Sequence, residues 1–298
     1  MNQVDLQDYE LLNELGRGGF GVVYKARNTK TNEFLAAKIS SKYIDLQDPK
    51  ESLYLRREIE TMSKGNHPAI LRYHGFSPKD FLGNDCAVIF MDFAPNGSIR
   101  TYLRDLKMKS QLNNLTCTQK LIWILGVASA MQYLHSHNIL HRDLKTDNIL
   151  LTEDYLPKLS DFGLAKQVHI NSDSMTLQSE IGLKATFRYI APETFEDNIY
   201  NESTDVYAFA MIVYEIMTTE TPFKDLNFYQ TCNQVTQKIR PDFPDSGIHI
   251  GNAYKLLIER CWSHNPEERP TFEEIVSELK TNKDFITKEV EESKYQEY

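Results

Sequence analysis

The segment from His141 to Asn148 reads His-Arg-Asp-Leu-Lys-Thr-Asp-Asn and is the most informative stretch of the chain. It supplies a carboxylate at Asp143, an ammonium group at Lys145 and an amide oxygen at Asn148. These groups can accept a proton, neutralise a phosphoryl oxygen and bind a hard cation, respectively. The segment alone could also be a polar loop after a buried helix. Its interpretation depends on whether the chain also supplies a phosphate-binding loop, a second metal ligand and a lysine for phosphates.

A glycine-rich loop near the start of the chain meets the first of these requirements. The segment 16–21 reads Gly-Arg-Gly-Gly-Phe-Gly and precedes the strand-like segment 22–26. Glycines let backbone amides approach phosphate oxygens without a Cβ in the way, although they also form ordinary hairpin turns. A dinucleotide-binding fold would place a helix directly after the glycines, and a Walker loop would end in Gly-Lys-Ser/Thr. Neither pattern fits, so we predict a phosphate-binding hairpin.

Lys38 stands inside the apolar segment 35–39. A buried ammonium group is costly unless an anion pairs with it. We predict that phosphates lie on one side of it and a carboxylate on the other. Glu58, on a helix expected at 49–64, is a better candidate than Glu60 because Met62 would share its inward face. The alternative is that Lys38 extends to solvent from the end of a strand.

Asp161 begins the turn Asp-Phe-Gly about a dozen residues after the opening segment. Its carboxylate could hold magnesium between ATP phosphates, with Asn148 as the neutral second ligand. Ala191-Pro192-Glu193 follows about thirty residues later, beyond a polar segment rich in serine and threonine. A connection of that length predicts a regulated loop, although a surface loop with incidental hydroxyls is the alternative.

The spacing of apolar residues predicts strands first and helices later. Strands are expected at 9–15, 22–27, 34–40, 71–76 and 87–93, and helices at 49–64, 118–137, 204–217, 251–262 and 271–279. This order favours an α+β architecture.

With these residues in place, the chain resembles the eukaryotic protein kinase family from about Tyr9 to Leu279. The resemblance implies a bilobal protein kinase fold with a small β-rich N-lobe containing one main helix, a larger helical C-lobe and an ATP cleft between them. The expected bounds are 9–279 for the kinase domain, with the N-lobe at about 9–93, the hinge at about 92–97 and the C-lobe at about 98–279. We expect a polar helix or tail at 280–298.

The resemblance also implies a role for individual residues. Asp143 matches the catalytic base, Lys145 the residue that steadies the transferred phosphoryl group, and Asn148 and Asp161 the magnesium ligands. Further residues match ATP-binding positions of the family. They belong to the glycine-rich loop, to the apolar walls around adenine, to the pair formed by the lysine and its helix carboxylate, and to the hinge, where Met91 is at the gatekeeper position. These residues are Leu15, Gly16, Gly18, Gly21, Val23, Ala36, Lys38, Glu58, Met91, Asp92, Ala94 and Leu150. Asp92 and Ala94 would offer backbone hydrogen bonds to adenine, and Asp205 and Arg269 match buried structural residues.

The same resemblance indicates which hydroxyl groups the protein would phosphorylate. Lys145 and Thr186 favour Ser/Thr specificity, whereas Cys261-Trp262 and 269–272 resemble the C-lobes of tyrosine kinases. Together they indicate the tyrosine-kinase-like group of Ser/Thr protein kinases, with dual specificity open.

A phosphate on the activation segment could pair with Arg142 and Lys166, so we expect activation by phosphorylation at Thr176 or Ser179. A pseudokinase or scaffold that acts through partner binding is the alternative from another class. Its usual mark is loss of Lys38, Asp143 or Asp161, all of which are present. A small-molecule phosphotransferase is disfavoured by the long activation segment.

Composition limits the partners that we expect. The chain has 298 residues and a formal charge of −9 without a basic stripe, which argues against nucleic-acid binding. Its longest apolar stretches are too short to span a bilayer, and we find no secretory or lipidation signal. The four scattered cysteines suggest small buried apolar residues in a reducing compartment. We therefore expect an intracellular, cytoplasmic protein whose partners are ATP and a protein substrate. Nothing in the sequence indicates an oligomeric state.

Overall fold

The chain divides into two compact units, Met1–Pro95 and Asn96–Tyr298. The computed structural model describes residues 2–18, 21–41, 59–60, 62–111, 115–161, 166–167, 187–244 and 250–286. Within this part of the chain the first unit is rich in strands and the second in helices. The predicted α+β fold class is thus confirmed.

An antiparallel sheet forms the body of the first unit. Its strands are β1 (Tyr9–Gly18), β2 (Gly21–Asn28), β3 (Phe34–Ser40), β4 (Tyr73–Ser77) and β5 (Val88–Asp92), in the order β1-β2-β3-β5-β4. A short 3₁₀ turn, Leu6–Asp8, leads into β1. All five predicted strands are present. β1 extends beyond its predicted end because the glycines continue the pairing, with Gly16 opposite Val23 and Gly18 opposite Gly21.

The register of this sheet sorts the apolar residues onto two faces. Ala26, Ala37 and Phe90 belong to a buried cluster on one face. Paired residues of antiparallel strands share a face, and alternate residues along a strand share it too. Because Val23 pairs with Lys38, both therefore lie on the opposite face. The predicted helix at 49–64 is described only near its C-terminal end, at residues 59–60 and 62–64.

The second unit contains most of the helices. They are α1 (Ile99–Met108), α2 (Cys117–Ser136), α3 (Pro192–Asp197), α4 (Glu202–Thr218), α5 (Phe228–Thr236), α6 (Asn252–Cys261) and α7 (Phe272–Thr281). Short strands β6 (Ile139–Leu140) and β9 (Lys166–Gln167) pair with each other, as do β7 (Ile149–Leu151) and β8 (Pro157–Leu159). Helices α2, α4, α6 and α7 confirm the predicted helices with ends shifted by one or two residues. Helices α1, α3 and α5 were not predicted with bounds.

Helices α2 and α4 form the centre of the second unit. Trp123 on α2 and Tyr207 and Phe209 on α4 are almost completely buried. A helix that is apolar on every side must be buried on every side, which accounts for the long apolar runs in both sequences. Within the described residues, no helix combines the length and apolar character that crossing a bilayer requires.

The end of the domain is better anchored than its sequence suggests. Helix α7 begins with a capping box between Thr271 and Glu274 and continues to Thr281. Beyond it Phe285 is buried, with its ring 4.9 Å from that of Tyr254. The predicted polar tail at 280–298 thus contributes a core residue, and positions 287–298 lie outside the described residues.

A buried ion pair joins α3 to the loop before α7. The Arg269 guanidinium donates to both carboxylate oxygens of Glu193, at 2.6 and 2.8 Å. It also donates to the Ser203 and Ser263 carbonyls, each at 2.9 Å. The side chains of Arg269 and Glu193 are 0% and 9% exposed. As predicted, Arg269 is a buried residue, and it connects three segments of the second unit.

We expect Arg269→Met to lower the free energy of unfolding by about 3–5 kcal/mol, because Glu193 would remain buried without its cation. Urea titration followed by circular dichroism measures this loss. Arg260→Met is the matched control, since Arg260 forms a solvent-exposed pair with Glu278. Exposed pairs contribute about 0–1 kcal/mol, so equal losses in the two variants would contradict the structural role assigned to Arg269.

Candidate active site

The carboxylate of Asp143 has two differently placed oxygens. Oδ2 accepts hydrogen bonds from Lys145 Nζ at 2.6 Å and from Asn148 Nδ2 at 2.9 Å. Oδ1 is buried and has no hydrogen-bond partner among the residues that the structure describes. A buried polar atom without a partner is costly and is often kept for a functional reason. The structure thus brings together the three residues that the opening segment singled out.

Asp205 on α4 holds the start of the 141–148 loop. Its carboxylate accepts the backbone N–H of His141 at 2.9 Å and that of Arg142 at 3.0 Å. His135 Nε2 lies 2.9 Å from the same carboxylate. Arg142 has φ of 66°, a left-handed conformation that residues other than Gly, Asn and Asp rarely adopt. The two hydrogen bonds to Asp205 stabilise this turn, which directs the chain toward Asp143.

The pKa of Asp205 reflects these contacts. Burial by itself would raise it, but the hydrogen bond and charge of His135, together with the contacts from His141, lower it below its ordinary value. Asp205 is therefore a buried carboxylate that remains ionised at neutral pH. The prediction that Asp205 is a buried structural residue is confirmed.

The buried ring of His141 connects the loop to the strand before Asp161. Its Nδ1 accepts the backbone N–H of Asp143 at 3.3 Å, so its Nε2 is the atom that donates to the Ser160 carbonyl, at 3.1 Å. Ser160 donates from its backbone N–H and its hydroxyl to the Asn148 carbonyl, at 2.8 and 2.9 Å. The backbone of Asn148 is thereby joined to the residue preceding Asp161.

The donor chemistry of Asn148 and Asp161 fits magnesium. The Asn148 amide nitrogen donates to the Asp143 carbonyl at 2.8 Å as well as to its carboxylate. This orientation leaves the amide oxygen as the atom that could bind a cation. Asp161 supplies a carboxylate and has φ of 61°, so its backbone also adopts the left-handed conformation. Oxygen donors of this kind are the ligands that magnesium prefers.

Of the predicted regulatory residues, Arg142 is the one whose side chain the structure describes. Its guanidinium lies over the Tyr200 ring at 5.2 Å, and burial lowers its pKa. Both side chains line a cavity of about 30 Å³ that also borders Tyr189. Lys166 is described only by its backbone, which pairs with Leu140. The other predicted regulatory residues lie outside the described part of the chain: Thr176, Ser179 and Thr186.

Several predicted ATP-binding residues lie on one face of the first unit's sheet. Val23 pairs with Lys38, Lys38 with Ile89, and Ala36 with Met91. This register places Val23, Ala36, Lys38 and Met91 on a common face, opposite the cluster around Phe90. The predicted carboxylate partner of Lys38, Glu58, lies outside the described residues, so their pairing stays a prediction.

Most of the remaining candidates for ATP binding lie in the glycine-rich loop and the hinge. Gly21 has φ of 154°, and a Cβ there would lie 2.1 Å from the Ile39 carbonyl oxygen, so only glycine fits. Leu15 is 43% exposed. The backbone N–H of Asp92 already donates to the Arg72 carbonyl at 3.0 Å. The remaining candidates are Gly16 and Gly18 in β1, Ala94 after β5, and Leu150 in β7 of the second unit.

Glu215, a second buried carboxylate that contacts the 141–148 loop, was not predicted from the sequence. Glu215 lies in the apolar run 208–217 of α4, and its Oε2 accepts the Thr146 hydroxyl at 2.7 Å. A carboxylate in such a run requires a donor or a cation, and this was the available signal. Its partners, Arg100 and Tyr189, are distant in sequence and could not be inferred from it.

Replacement of Asp205 by Asn should lower the free energy of unfolding by about 2–4 kcal/mol, because one acceptor becomes an N–H donor facing the loop amides. The pKa of Asp205 is depressed in the folded state. Its contribution is therefore complete above the unfolded pKa, near 3.8, and is lost as the pH falls through the folded value. Urea titrations between about pH 2 and 7 measure this difference.

Glu202→Gln on the first turn of the same helix is the control, since Glu202 is exposed and should cost less than about 1 kcal/mol. A wild-type advantage over Asp205→Asn that grew as the pH fell below 3.8 would contradict the assigned ionisation.

Comparison with known proteins places the chain in a family. The family model for protein tyrosine and serine/threonine kinases matches residues 9–279. A probable serine/threonine-protein kinase of Dictyostelium discoideum, drkC, is 31% identical over 93% of this chain and 35% of its own length. A second relative from that organism, named an RGS domain-containing serine/threonine-protein kinase, is 35% identical over 76% of this chain and 18% of its own length.

A third relative, from Girardia tigrina, is named a tyrosine-protein kinase and is 30% identical over 91% of this chain and 52% of its own length. The chain thus spans about a fifth to a half of the length of these relatives. Together with the fold and the geometry around Asp143, the match over residues 9–279 shows that the chain belongs to the protein tyrosine and serine/threonine kinase family.

Proposed function

We propose that this protein transfers the γ-phosphate of ATP to Ser and Thr hydroxyls of protein substrates. The observation that carries the proposal is the arrangement of Asp143. Lys145 and Asn148 hold one oxygen, and the other is buried with no partner among the described residues. An acceptor atom of this kind suits a hydroxyl proton.

In the proposed reaction the hydroxyl oxygen of the substrate forms a bond to the γ-phosphorus. The bond from that phosphorus to the bridging oxygen breaks, and its electron pair leaves with ADP. Asp143 takes the hydroxyl proton on Oδ1, and the Lys145 ammonium group neutralises charge that develops on the phosphoryl oxygens. The oxygens of Asn148 and Asp161 would hold magnesium, which supplies further positive charge to the phosphates when bound.

Lys145 and the names of the relatives support Ser and Thr as acceptors. Relatives from Dictyostelium discoideum are named serine/threonine-protein kinases, although the Girardia tigrina relative is named a tyrosine-protein kinase. We therefore propose Ser/Thr specificity within the tyrosine-kinase-like group. An intracellular, cytoplasmic location, where ATP is abundant, belongs to the same proposal.

Asp143→Asn tests the assignment of the base. We expect kcat to fall by about 10²–10⁴-fold, because an amide cannot accept the proton. The assay is transfer of γ-labelled phosphate to a peptide library with Ser, Thr or Tyr acceptors, followed by phosphoamino-acid analysis. Asp154→Asn, at an exposed turn between β7 and β8, is the control and should retain wild-type activity. Full activity of Asp143→Asn would contradict the role of base, and label mainly on Tyr would contradict the specificity.

We further propose that phosphorylation of the activation segment raises activity, with the Arg142 guanidinium as one partner of the phosphate. Burial of that guanidinium beside Tyr200 supports a fixed cation in this position. Thr176→Ala together with Ser179→Ala should give protein of low activity that phosphatase treatment does not lower further. Mass spectrometry of fully active wild-type protein with both hydroxyls unmodified would contradict this proposal.

A further inference from the structure

A polar network centred on Arg100 lies against the 141–148 loop. Arg100 stands in the first turn of α1, and its Nε donates to Asp147 Oδ2 at 2.7 Å. Its Nη2 donates to the Tyr189 hydroxyl at 2.7 Å. Its Nη1 lies 3.4 Å from Glu215 Oε1 and donates to Thr221 Oγ1 at 3.3 Å. A single guanidinium therefore contacts four segments of the second unit.

The other oxygen of Glu215 completes the network. Oε2 accepts the Thr146 hydroxyl at 2.7 Å and the Tyr189 hydroxyl at 2.6 Å. The Thr146 and Tyr189 hydroxyls are also 3.1 Å apart. Arg100 thus reaches the loop twice, directly through Asp147 and through Glu215 to Thr146.

The side chains of the loop divide between two sets of contacts. Lys145 and Asn148 bind Asp143 Oδ2, whereas the two residues between them, Thr146 and Asp147, bind the Arg100 network. These four residues are consecutive, and the last three form a 3₁₀ turn. A shift of Thr146 or Asp147 must therefore move Lys145 and Asn148 relative to the Asp143 carboxylate.

The charges explain why an arginine is needed. The Glu215 side chain is 4% exposed and that of Arg100 is 27% exposed. Burial raises the pKa of Glu215, and the nearby Arg100 and the hydrogen bonds from Thr146 and Tyr189 oppose this rise. A guanidinium presents several donors in a fixed plane and can contact Asp147, Glu215 and Tyr189 at once. Lysine offers one compact ammonium group on a flexible stem and cannot span these acceptors.

We propose that Arg100 is a positioning residue for phosphoryl transfer, which fixes the Thr146–Asn148 turn so that Lys145 and Asn148 remain on Asp143. The proposal rests on the kinase activity proposed above. Arg100 acts on the reaction through Asp147, Glu215 and Thr146 rather than by touching the reacting atoms.

Arg100→Met and Arg100→Lys test the proposal by steady-state kinetics with ATP and the peptide substrate found for the wild type. We expect Arg100→Met to lower kcat by up to about 10²-fold, since small displacements of catalytic groups have effects of this size. The KM for ATP should change by less than about threefold, because a group that acts mainly in the transition state affects kcat. Arg100→Lys should recover only part of the loss.

Arg104→Met, one turn further along α1, is the matched control because Arg104 is exposed and its ion pair among the described residues is with the neighbouring Asp105. It should retain wild-type kinetics. Asp147→Ala removes only the direct contact and, at a side chain 41% exposed, should fold normally. We expect it to lower kcat less than Arg100→Met does. In the double variant, the fold-decrease in kcat should be smaller than the product of the two single fold-decreases.

The outcomes separate this proposal from the proposed function. A wild-type protein that transfers no phosphate would contradict the function itself. An active wild type with unchanged kcat in Arg100→Met would overturn the role of Arg100. For a poorly folded Arg100→Met, Asp147→Ala decides: a lowered kcat at unchanged KM for ATP supports positioning, and wild-type kinetics overturn it.

Discussion

The hydrogen bonds from the His141 and Arg142 amides to the Asp205 carboxylate are the contacts on which the candidate active site depends. They hold a left-handed residue at the start of the loop and fix the direction in which the chain approaches Asp143. Glu215 lies ten residues further along the same helix, about 15 Å at the α-helical rise, and binds the far end of the loop through Thr146. One buried helix thus holds both ends of the loop.

Three buried carboxylates among the described residues of the second unit each have a specific partner. Asp205 has His135, Glu193 has Arg269 and Glu215 has Arg100. Buried ion pairs contribute little net stability relative to apolar packing, but the loss of one partner is costly because the other charge stays buried. We interpret these pairs as devices that fix the relative position of helices and loops. In the function proposed above, a proton acceptor must be aligned with a phosphoryl group, and this requires more exact positions than a stable core does.

Much of the fold followed from the sequence because its apolar periodicities are clear. Phe34–Ser40 is a short segment with aromatic and β-branched residues that follows the turn-forming segment 28–32, which predicts a strand, and the apolar run of α4 predicts a buried helix. The segment 141–148 identified the candidate reactive residues because their chemistry is local. The contacts of Arg100, Tyr189 and Glu215 could not be predicted, because only the tertiary fold brings these residues together. The most distant pair, Arg100 and Thr221, is 121 positions apart. Helix α5 was missed because its nine residues contain few apolar positions, although the capping box between Asn227 and Gln230 was an available signal.

The contacts of Asp205 imply that the 141–148 loop is held by a buried helix rather than being a surface loop. Residue-resolved native-state hydrogen exchange of the backbone amides of His141 and Arg142 tests it most directly. If Asp205 holds these amides, they should exchange with the same opening free energy as the amides in the middle of α4, because both would be exposed only by unfolding of the whole unit. Exchange at the rate of an exposed turn such as 153–155, with α4 still protected, would contradict the account.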